Sequence, residues 1–301
     1  MNNFSALEKP AQKAKVILDT DTYNEIDDQF AVAYALRSEN KIEVLSIGAA
    51  PFFNARAKSP AEGMEKSCNE IFNILRLMGI KSMDEKVFRG STEYLPDVDE
   101  PVDSPAARNI IKTTHSMPEG ERLYIIAMGA ATNISSALLL DPSIDKKITV
   151  IWLCGNAHHW QHNLEFNCAQ DIPAAKILFD SGVPLVQFPC AGVADRLAVT
   201  EPELRHHLKG KNPLCDYLYE ITCEHSANYA KRCDTWSKVI WDIAPVAWLV
   251  CPNCTDDVII NSPIVTAENT YSQDTSRHQI KYIRDLNRDK IFGDLFKKLT
   301  R

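Results

Sequence analysis

The chain of 301 residues carries a formal net charge of −7, and 45% of its residues are hydrophobic, which is enough to bury a large core. The acidic balance argues against a nucleic-acid partner, because nucleic-acid binding depends on basic surfaces. No apolar run approaches the roughly 20 residues of a membrane span, and the N-terminus lacks the apolar stretch of a signal peptide. We therefore expect a cytoplasmic protein that binds a small molecule, with no membrane and no nucleic acid as partners.

Apolar runs alternate with helical patterns along the chain. Runs of β-branched and aliphatic residues predict buried parallel strands at residues 16–18, 42–47, 123–127, 148–153 and 185–188. Helical spacing predicts helices at residues 27–38 and 62–78, a third helix between Asp171 and Gly182, and an amphipathic helix at the end of the polar segment 282–299. This order predicts a single α/β domain over residues 1–301, with a mostly parallel, mixed central sheet flanked by helices. Residues 1–14 are expected to form a flexible N-terminal extension.

Nine cysteines are scattered along the chain without the spacing of a disulfide framework, which indicates reduced thiols. Cys251 and Cys254 form a CxxC motif after a predicted helix. Because no second CxxC and no nearby histidine accompanies it, a pair of buried thiols is favoured over a zinc site.

Polar side chains follow the predicted strands at the edge where ligands bind in sheets of this kind. They are Asp19, Asp21, Asp27 and Asp28 after the first strand, Asn54 after the second, Thr132 and Asn133 after the third, and Asn156, His158, His159, Trp160, His162, Glu165 and Asn167 after the fourth. Each residue alone has an ordinary structural role, since Asp commonly caps helices and Asn commonly occupies turns. Their collection at one edge predicts a binding site.

The four aspartates at residues 19–28 are the strongest of these signals. Carboxylates crowded against an apolar run repel one another and lose solvation, so the cluster predicts a metal ion or a general base. Oxygen ligands favour Ca²⁺ or Mg²⁺ over zinc. An EF-hand is excluded, because Asn24 stands where its turn glycine belongs and Phe30 where its closing glutamate belongs. The ion would therefore be held by segments that are distant in sequence.

Four segments, in order, resemble the inosine-uridine preferring nucleoside hydrolases. They are LDTDTYNEIDD, GAATNISSALL, EFN at residues 165–167 and VIWDIAPVAWLV. The resemblance implies a nucleoside hydrolase-like fold with a Rossmann-like core, and assembly as a homodimer or homotetramer. The residues that it implies are Asp21, Asp28, Asp242 and the backbone carbonyl of Thr132 for Ca²⁺, Asp27, Glu165 and Asn167 for ribose hydroxyls, and Asn54 and Asn133 for further substrate contacts.

The chain departs from the pattern of these hydrolases at three points. Its loop between Asp21 and Asp27 is two residues longer and lacks the family's glycine, which leaves open how Asp27 and Asp28 divide their roles. The family's asparagine before EFN has no clean equivalent at residues 158–163. Trp241 stands directly before Asp242, where the family carries a histidine implicated in protonating the leaving group.

We predict calcium-dependent hydrolysis of the N-glycosidic bond of ribonucleosides, which releases ribose and a base. Asp21 would take the proton of the attacking water. Trp160 and Trp241 are candidates for stacking on the base. The candidate acids for the leaving base are His158, His159 and His162. The sequence leaves the base preference open.

Two other functions fit parts of the sequence. LDTDT also resembles the first motif of haloacid-dehalogenase-like, Mg²⁺-dependent phosphatases, in which Asp19 would be a nucleophile and Asp21 an acid. That class also needs a lysine and a second acidic pair, for which the candidates are Lys146, Lys147, Asp256 and Asp257. Alternatively, with Trp241 in place of the histidine, the protein would bind ribose or a nucleoside without hydrolysing it.

Overall fold

The computed structural model describes residues 4–231 and 235–301. The first three residues of the predicted N-terminal extension therefore lie outside the described residues. Phe4–Leu7 is a single 3-10 turn, in which Ala6 and Leu7 are buried. The Thr149 hydroxyl donates a hydrogen bond to the Ala6 carbonyl at 2.8 Å. Part of the segment that the sequence predicts to be flexible is thus packed against the protein.

Strands and helices alternate through most of the chain. Within the described residues, the strands are β1 (Ala14–Thr20), β2 (Ile42–Ala49), β3 (Val87–Arg89), β4 (Leu123–Ala127), β5 (Ile148–Leu153), β6 (Leu185–Phe188), β7 (Ala198–Thr200), β8 (Ser237–Val239), β9 (Thr255–Asn261), β10 (Ile264–Val265), β11 (Tyr271–Ser272) and β12 (Gln279–Leu286). The helices are α1 (Asp28–Leu36), α2 (Pro60–Met78), α3 (Pro105–Ser116), α4 (Thr132–Leu140), α5 (Phe166–Gln170), α6 (Ile172–Asp180), α7 (Glu201–His207), α8 (Pro213–Ala230), α9 (Ile243–Val250) and α10 (Arg288–Leu299). None of the helices in this part of the chain is both long and apolar enough to cross a membrane.

An eight-stranded sheet in the order β3-β2-β1-β4-β5-β6-β12-β9 forms the centre of the fold. All neighbouring pairs are parallel except β12 and β9, which are antiparallel. The predicted mostly parallel, mixed sheet is therefore confirmed. Chain order runs in opposite directions on the two sides of β1, and in sheets of this type that reversal opens a crevice beyond the carboxyl ends of the strands.

Two hydrophobic layers cover the sheet. Alternate residues of β1 face opposite sides: Val16 and Leu18 join a core with α1, α2, α9 and α10, whereas Ile17 joins a core with α3, α4 and α6. Every residue of α1 is buried, because this helix lies between the sheet and other helices. Burial on both faces explains why the central strands are apolar at successive positions and do not alternate with polar residues.

Local signals set the helix boundaries as the sequence predicts. The Asp171 side chain accepts a hydrogen bond from the Ala174 N–H at 3.0 Å and so caps α6, and Gly182 follows the helix with a φ of 78°. Gly79 ends α2 with a φ of 71°, a left-handed conformation that glycine adopts without strain. The five predicted strands are confirmed as β1, β2, β4, β5 and β6.

The tail differs from the prediction in one respect. The predicted final helix is confirmed as α10, but the residues before it form β12, which pairs with β9 at the edge of the sheet. The alternation in β12 is masked by Lys281, which is 4% exposed and forms ion pairs with Glu8 and Asp257. Because of this buried lysine, the sequence of β12 looks more polar than is usual for a strand inside a sheet.

Candidate active site

A pocket of about 340 Å³ lies beyond the carboxyl ends of the central strands. The loops after β1, β2, β4, β5 and β6 each contribute to its wall. Its lining residues are Asn24, Glu25, Asp27, Asn54, Met128, Leu153, Asn156, Glu165, Phe166, Asn167, Cys190, Ala191, Trp241 and Asp242. The pocket therefore occupies the place that the strand order assigns to a ligand, and its volume suits a small molecule.

Three carboxylates meet at one side of this pocket. Asp27, Asp28 and Asp242 each have an oxygen within 4.8 Å of the other two, and all three residues are buried. Asp27 precedes α1, Asp28 is the first residue of that helix, and Asp242 precedes α9. Because α1 packs against α9, two segments from opposite ends of the chain bring their acidic N-terminal residues together.

Buried carboxylate oxygens lack hydrogen-bond partners both in this group of three and in Asp21, which lies outside the group and is not among the described lining residues of the pocket. Both oxygens of Asp21 and Oδ1 of Asp242 are unpartnered. Asp28 accepts a hydrogen bond from the Thr20 hydroxyl through Oδ1. Unsatisfied carboxylates in a protein interior are costly unless a proton or a cation compensates them. An all-oxygen set of donors fits a hard divalent cation such as Ca²⁺ or Mg²⁺.

The acidities of these groups reflect their crowding. Burial, and then the charges of Asp28 and Asp27, raise the pKa of Asp21 well above its ordinary value. Burial and the charge of Asp27 raise the pKa of Asp28 to about 7. Burial, followed by the charges of Asp27 and Asp28, also holds the pKa of Asp242 well above its ordinary value. A compensating cation would therefore favour the ionised form of the cluster near neutral pH.

Glu165 and Asn167 form the wall opposite β1, where the sequence predicts ribose contacts. The Glu165 carboxylate accepts hydrogen bonds from the main-chain N–H groups of Gly155 at 2.7 Å, Asn167 at 2.9 Å and Cys168 at 3.1 Å. The Asn167 side-chain amide nitrogen donates to the carbonyls of Met128 and Leu153. The side-chain oxygen of Asn167 accepts none of these hydrogen bonds, so it is available to a ligand.

Gly155 is required for this arrangement. Its φ is 68°, and a Cβ at this position would lie 2.0 Å from the Tyr271 hydroxyl oxygen and 2.4 Å from Oδ1 of Asn163. Only glycine fits such a space in a left-handed conformation. The turn after β5 therefore brings the Gly155 N–H to the Glu165 carboxylate.

A family model described as inosine-uridine preferring nucleoside hydrolase matches residues 16–293. The chain belongs to this family. The pyrimidine-specific ribonucleoside hydrolase RihB of Escherichia coli (strain SE11) is 27% identical over 188 residues, which cover 58% of this chain and 59% of that protein. The chain thus spans 59% of the length of the curated relatives that it matches.

Solved nucleoside hydrolases share the fold. A plant nucleoside hydrolase superposes with a TM-score of 0.76 at 20% identity, covering 95% of this chain and 99% of the other. A purine-preferring ribonucleoside hydrolase from Gardnerella vaginalis gives a TM-score of 0.73 at 22% identity, covering 95% of this chain and 98% of the other. At these identities the likeness establishes the architecture, and it confirms the predicted α/β class.

Thr132 and Asn133 are buried and are not among the described lining residues of the pocket. The Thr132 hydroxyl donates to Asp171 at 2.6 Å. Asn133 is fully buried, donates to Asp19 at 2.8 Å and accepts from the Ser91 main-chain N–H at 2.8 Å. These contacts favour a positioning role for Asn133 over the predicted contact with substrate. The predicted metal contact of the Thr132 carbonyl stays a prediction.

The predicted histidine acids are separate from the pocket. None of His158, His159 and His162 is among its lining residues in the described part of the chain. His158 is hydrogen-bonded to Gln187 at 3.0 Å and packs 4.5 Å from the Tyr271 ring, while His159 and His162 are exposed. Burial lowers the pKa of His158, so this imidazole is a poor proton donor at neutral pH.

The two predicted stacking residues have different positions. Trp160 is 46% exposed and is not among the described lining residues of the pocket. Trp241 lines the pocket, and its main-chain N–H donates to Asp27 at 3.1 Å. Asn54 also lines the pocket and donates to the Asn24 side-chain oxygen at 2.6 Å. Trp241 is therefore the better placed of the two tryptophans.

Sequence reasoning missed an ion pair between Glu25, which lines the pocket, and Lys238. Glu25 lines the pocket and forms an ion pair with Lys238, whose side chain is 11% exposed. The charge of Lys238 opposes the effect of burial on the pKa of Asp27, and His225 has both Lys238 and Asp27 among its electrostatic neighbours. The only sequence signal was position: Glu25 lies within the extended loop before Asp27, and Lys238 lies shortly before Asp242.

Proposed function

We propose that this chain hydrolyses the N-glycosidic bond of ribonucleosides and releases ribose and a base. The observation that carries the proposal is the unpartnered carboxylate oxygen of Asp242 in a pocket lined by Glu165 and Asn167, together with the two unpartnered oxygens of the buried Asp21, whose pKa is raised by burial and by the charges of Asp28, Asp27 and Glu165. Such groups persist in a protein interior where a cation or a reacting molecule compensates them. Membership of the nucleoside hydrolase family supports the same reaction class.

We propose Ca²⁺ as the cofactor, with Asp21, Asp28, Asp242 and the backbone carbonyl of Thr132 as ligands. The oxygen-only donors and the close approach of Asp28 to Asp242 support this choice. Asp27 belongs to the same group, so it either completes the metal site or holds a ribose hydroxyl. A bound Ca²⁺ would supply the positive charge that holds adjacent sugar hydroxyls and makes water more acidic.

Asp21 is the proposed general base. It has two carboxylate oxygens without partners, and one of them can accept the proton of a water molecule that attacks C1′. Positive charge develops on the sugar as the C1′–N bond breaks, and the nearby carboxylates stabilise it. Glu165 is fixed by three main-chain N–H groups, so its charge keeps its position beside the pocket throughout the reaction.

We propose that the leaving base departs without an imidazole acid from His158, His159 or His162. The support is the lining of the pocket, which includes Trp241 and, among the described residues, none of these three histidines. Indole is a hydrogen-bond donor that cannot give up its proton near neutral pH. Substrates whose leaving group needs no protonation should therefore react fastest.

The geometry disfavours the phosphatase alternative. Lys146 and Lys147 precede β5 and so lie at the amino edge of the sheet, whereas Asp19 lies at the carboxyl edge. Asp256 and Asp257 belong to β9, five strands from β1, which corresponds to about 24 Å at the usual strand spacing. Binding of a nucleoside without turnover remains the second candidate, favoured by Trp241 at the position of the family's histidine.

The test of the proposed reaction is a panel of purine and pyrimidine ribosides with detection of released reducing sugar. We expect ribose release that falls at least 100-fold in Asp21→Asn, since a positioned base typically contributes 10² to 10⁴ in rate. Asp84→Asn, an exposed acid in a short 3-10 turn, is the control and should keep full activity. Binding of ribosides without any ribose release would favour the non-catalytic alternative, and Mg²⁺-dependent release of phosphate would favour the phosphatase.

Two further comparisons assign the sugar contacts. A 2′-deoxyriboside should be cleaved more slowly than the riboside, because polar groups left unpaired cost about 1 to 3 kcal/mol each. Asp27→Asn should weaken Ca²⁺ binding if Asp27 is a metal ligand. If Asp27 instead holds ribose, the variant should keep its Ca²⁺ affinity and lose activity toward ribosides.

Three further properties stay proposals. We propose that the protein assembles as a homodimer or homotetramer and acts in the cytoplasm, in purine or pyrimidine salvage. The relatives named above include a pyrimidine-specific enzyme and a purine-preferring one. Base preference is therefore an outcome of the riboside panel.

A further inference from the structure

The CxxC motif lies outside the pocket, at the other end of the helix that carries Asp242. Cys251 ends α9, with its N–H bonded to the Ala247 carbonyl at 2.8 Å, and Cys254 follows three residues later. Both cysteines are free thiols and both are buried. Neither belongs to a group of three or more metal-binding side chains among the described residues. The motif is therefore treated as a pair of neighbouring thiols.

The turn between the two cysteines has the backbone signature of a tight turn, which keeps its first and last Cα atoms close. Pro252 occupies its second position, and Asn253 occupies its third position with a φ of 53°. Proline followed by a residue with positive φ is typical of a type II turn, which brings its first and last Cα atoms within about 7 Å. Disulfides join Cα atoms that are about 4.4 to 6.8 Å apart. The Cys251 thiol donates to the Lys290 carbonyl at 3.8 Å, and the Cys254 thiol donates to the Ala247 carbonyl at 3.4 Å.

The surroundings of the motif make the two thiols unequal. The contact with Cys254 lowers the pKa of the Cys251 thiol, burial and the charge of Asp294 oppose this effect, and the charges of Lys298 and Lys9 add to it. The same contact, with burial, raises the pKa of the Cys254 thiol. Cys251 is also the more exposed of the two and lines a cavity, so it is the thiol that meets a small reagent first. Attack by a thiolate is the first step of thiol oxidation.

A second cavity gives access to the motif. This cavity has a volume of about 260 Å³, and Cys251 is among its lining residues. The opposite wall comes from the N-terminal segment, where the Lys9 ammonium lies 5.5 Å from the centre of the Trp248 ring. Lys13 and Lys41 also line the cavity. A small, neutral oxidant fits this space, and of these three lysines Lys9 is the one whose charge favours the anionic form of the Cys251 sulfur.

We propose that Cys251 and Cys254 form a reversible dithiol and disulfide pair that reacts with peroxides. The Cys251 thiolate attacks one oxygen of the peroxide, so that an S–O bond forms, the O–O bond breaks and hydroxide leaves, or alkoxide from an organic peroxide. The Cys254 thiol then attacks the sulfur of the Cys251 sulfenic acid, an S–S bond forms, and water carries away the oxygen and the Cys254 proton. Two thiols lose two electrons in all, the peroxide gains them, and an external dithiol reverses the change.

The test is oxidation of the reduced whole protein with hydrogen peroxide, followed by alkylation of free thiols and peptide mapping. We expect a Cys251–Cys254 disulfide that accumulates before other cysteines are modified and disappears with dithiothreitol. Cys254→Ser should instead accumulate a Cys251 sulfenic acid, which dimedone traps, and Cys251→Ser should give no dimedone adduct at Cys254. Cys223→Ser and Cys233→Ser are the controls and should leave the disulfide unchanged.

Two lysine variants test whether the charge beside Cys251 contributes to its rate of reaction with peroxide. Lys9→Gln should slow the reaction of Cys251 with peroxide several-fold, because it removes a charge that favours the thiolate. Lys13→Gln, which lines the same cavity without being among the charges that act on Cys251, should have a smaller effect. Peroxide that oxidises other cysteines first and leaves Cys251 and Cys254 reduced in the wild-type protein would overturn the proposal, as would direct formation of a Cys251 sulfinic acid with no disulfide.

Discussion

Replacing Asp28 by asparagine should make the protein more stable without cations and less stable than the wild type with Ca²⁺. The side-chain oxygen of the new asparagine would keep the hydrogen bond from Thr20, and its amide group could donate to Asp242. The pKa of Asp28 is raised from 3.8 to about 7 by burial and by Asp27. A rise of about three units at about 1.4 kcal/mol per unit sets a ceiling of about 4 kcal/mol on the cost of this carboxyl at pH 7.5.

Calcium should reverse this order. A ligand at 100 times its Kd stabilises the native state by about 2.7 kcal/mol, which raises the Tm of a protein of this size by about 5 °C. Wild-type protein should show this increase, and Asp28→Asn should lose most of it because a metal ligand is missing. The assay is thermal unfolding at pH 7.5 with EDTA and then with Ca²⁺, beside the exposed control Asp84→Asn. Equal stabilisation of Asp28→Asn and wild type by Ca²⁺, or a lower Tm of the variant in EDTA, would refute the reasoning.

Three other predictions follow from the same site. In EDTA, the free energy of unfolding should fall as pH rises from about 4 to about 7, because the native state holds protons on Asp19 and Asp28 that the unfolded state releases. Urea unfolding at pH 5 and at pH 7.5 checks the sign of this change in stability. Asn133→Ala should cost about 2 to 5 kcal/mol, since Asp19 and the Ser91 N–H each lose a partner, and an unchanged urea midpoint would contradict this. The rate of hydrolysis of p-nitrophenyl riboside should exceed that of inosine by a factor of about 10² to 10⁴. Trp241→His should reduce this difference in rate, and Trp241→Phe should leave it unchanged. Equal wild-type rates on the two substrates would exclude the proposed loss of acid catalysis.

The central strands and the acidic cluster could be predicted because their signals are local. Residues 16–18 are apolar at successive positions, as a strand buried on both faces must be, and the aspartates follow directly at the carboxyl end. Asp242 was assigned to the same site only through the resemblance of VIWDIAPVAWLV to a segment of the nucleoside hydrolases. The structure then brings Asp28 and Asp242 together, as the prediction of a shared site requires.

The histidine segment shows where local reasoning is insufficient. His158, His159 and Trp160 follow β5 at the correct edge of the sheet, but the turn at Gly155 and Asn156 decides which side chains face the pocket. That turn is fixed by long-range contacts, including the approach of Tyr271 to Gly155. The direction of these side chains could not be read from their spacing. The strands β9 and β12 were missed for a similar reason, since the place of β12 between β6 and β9 depends on residues that are distant in sequence.

The Glu25–Lys238 ion pair was missed because the role of each residue depends on its contact with the other. Each residue alone looks like a solvated surface charge, which is the ordinary role of an isolated Glu or Lys. Packing against the loop before α1 leaves the Lys238 side chain only 11% exposed and places its charge near Asp27. Sequence spacing between residues 25 and 238 carries no signal of that contact.

The convergence of α1 and α9 also has a consequence for how the protein folds. Asp28 lies near the start of the chain and Asp242 near its end, so their carboxylates meet only after most of the parallel sheet has assembled. Contacts between such distant segments form late and make folding slow. A cation that binds only this completed arrangement stabilises the native state more than the folding transition state. Its effect should therefore appear as a slower rate of unfolding, with the rate of folding nearly unchanged.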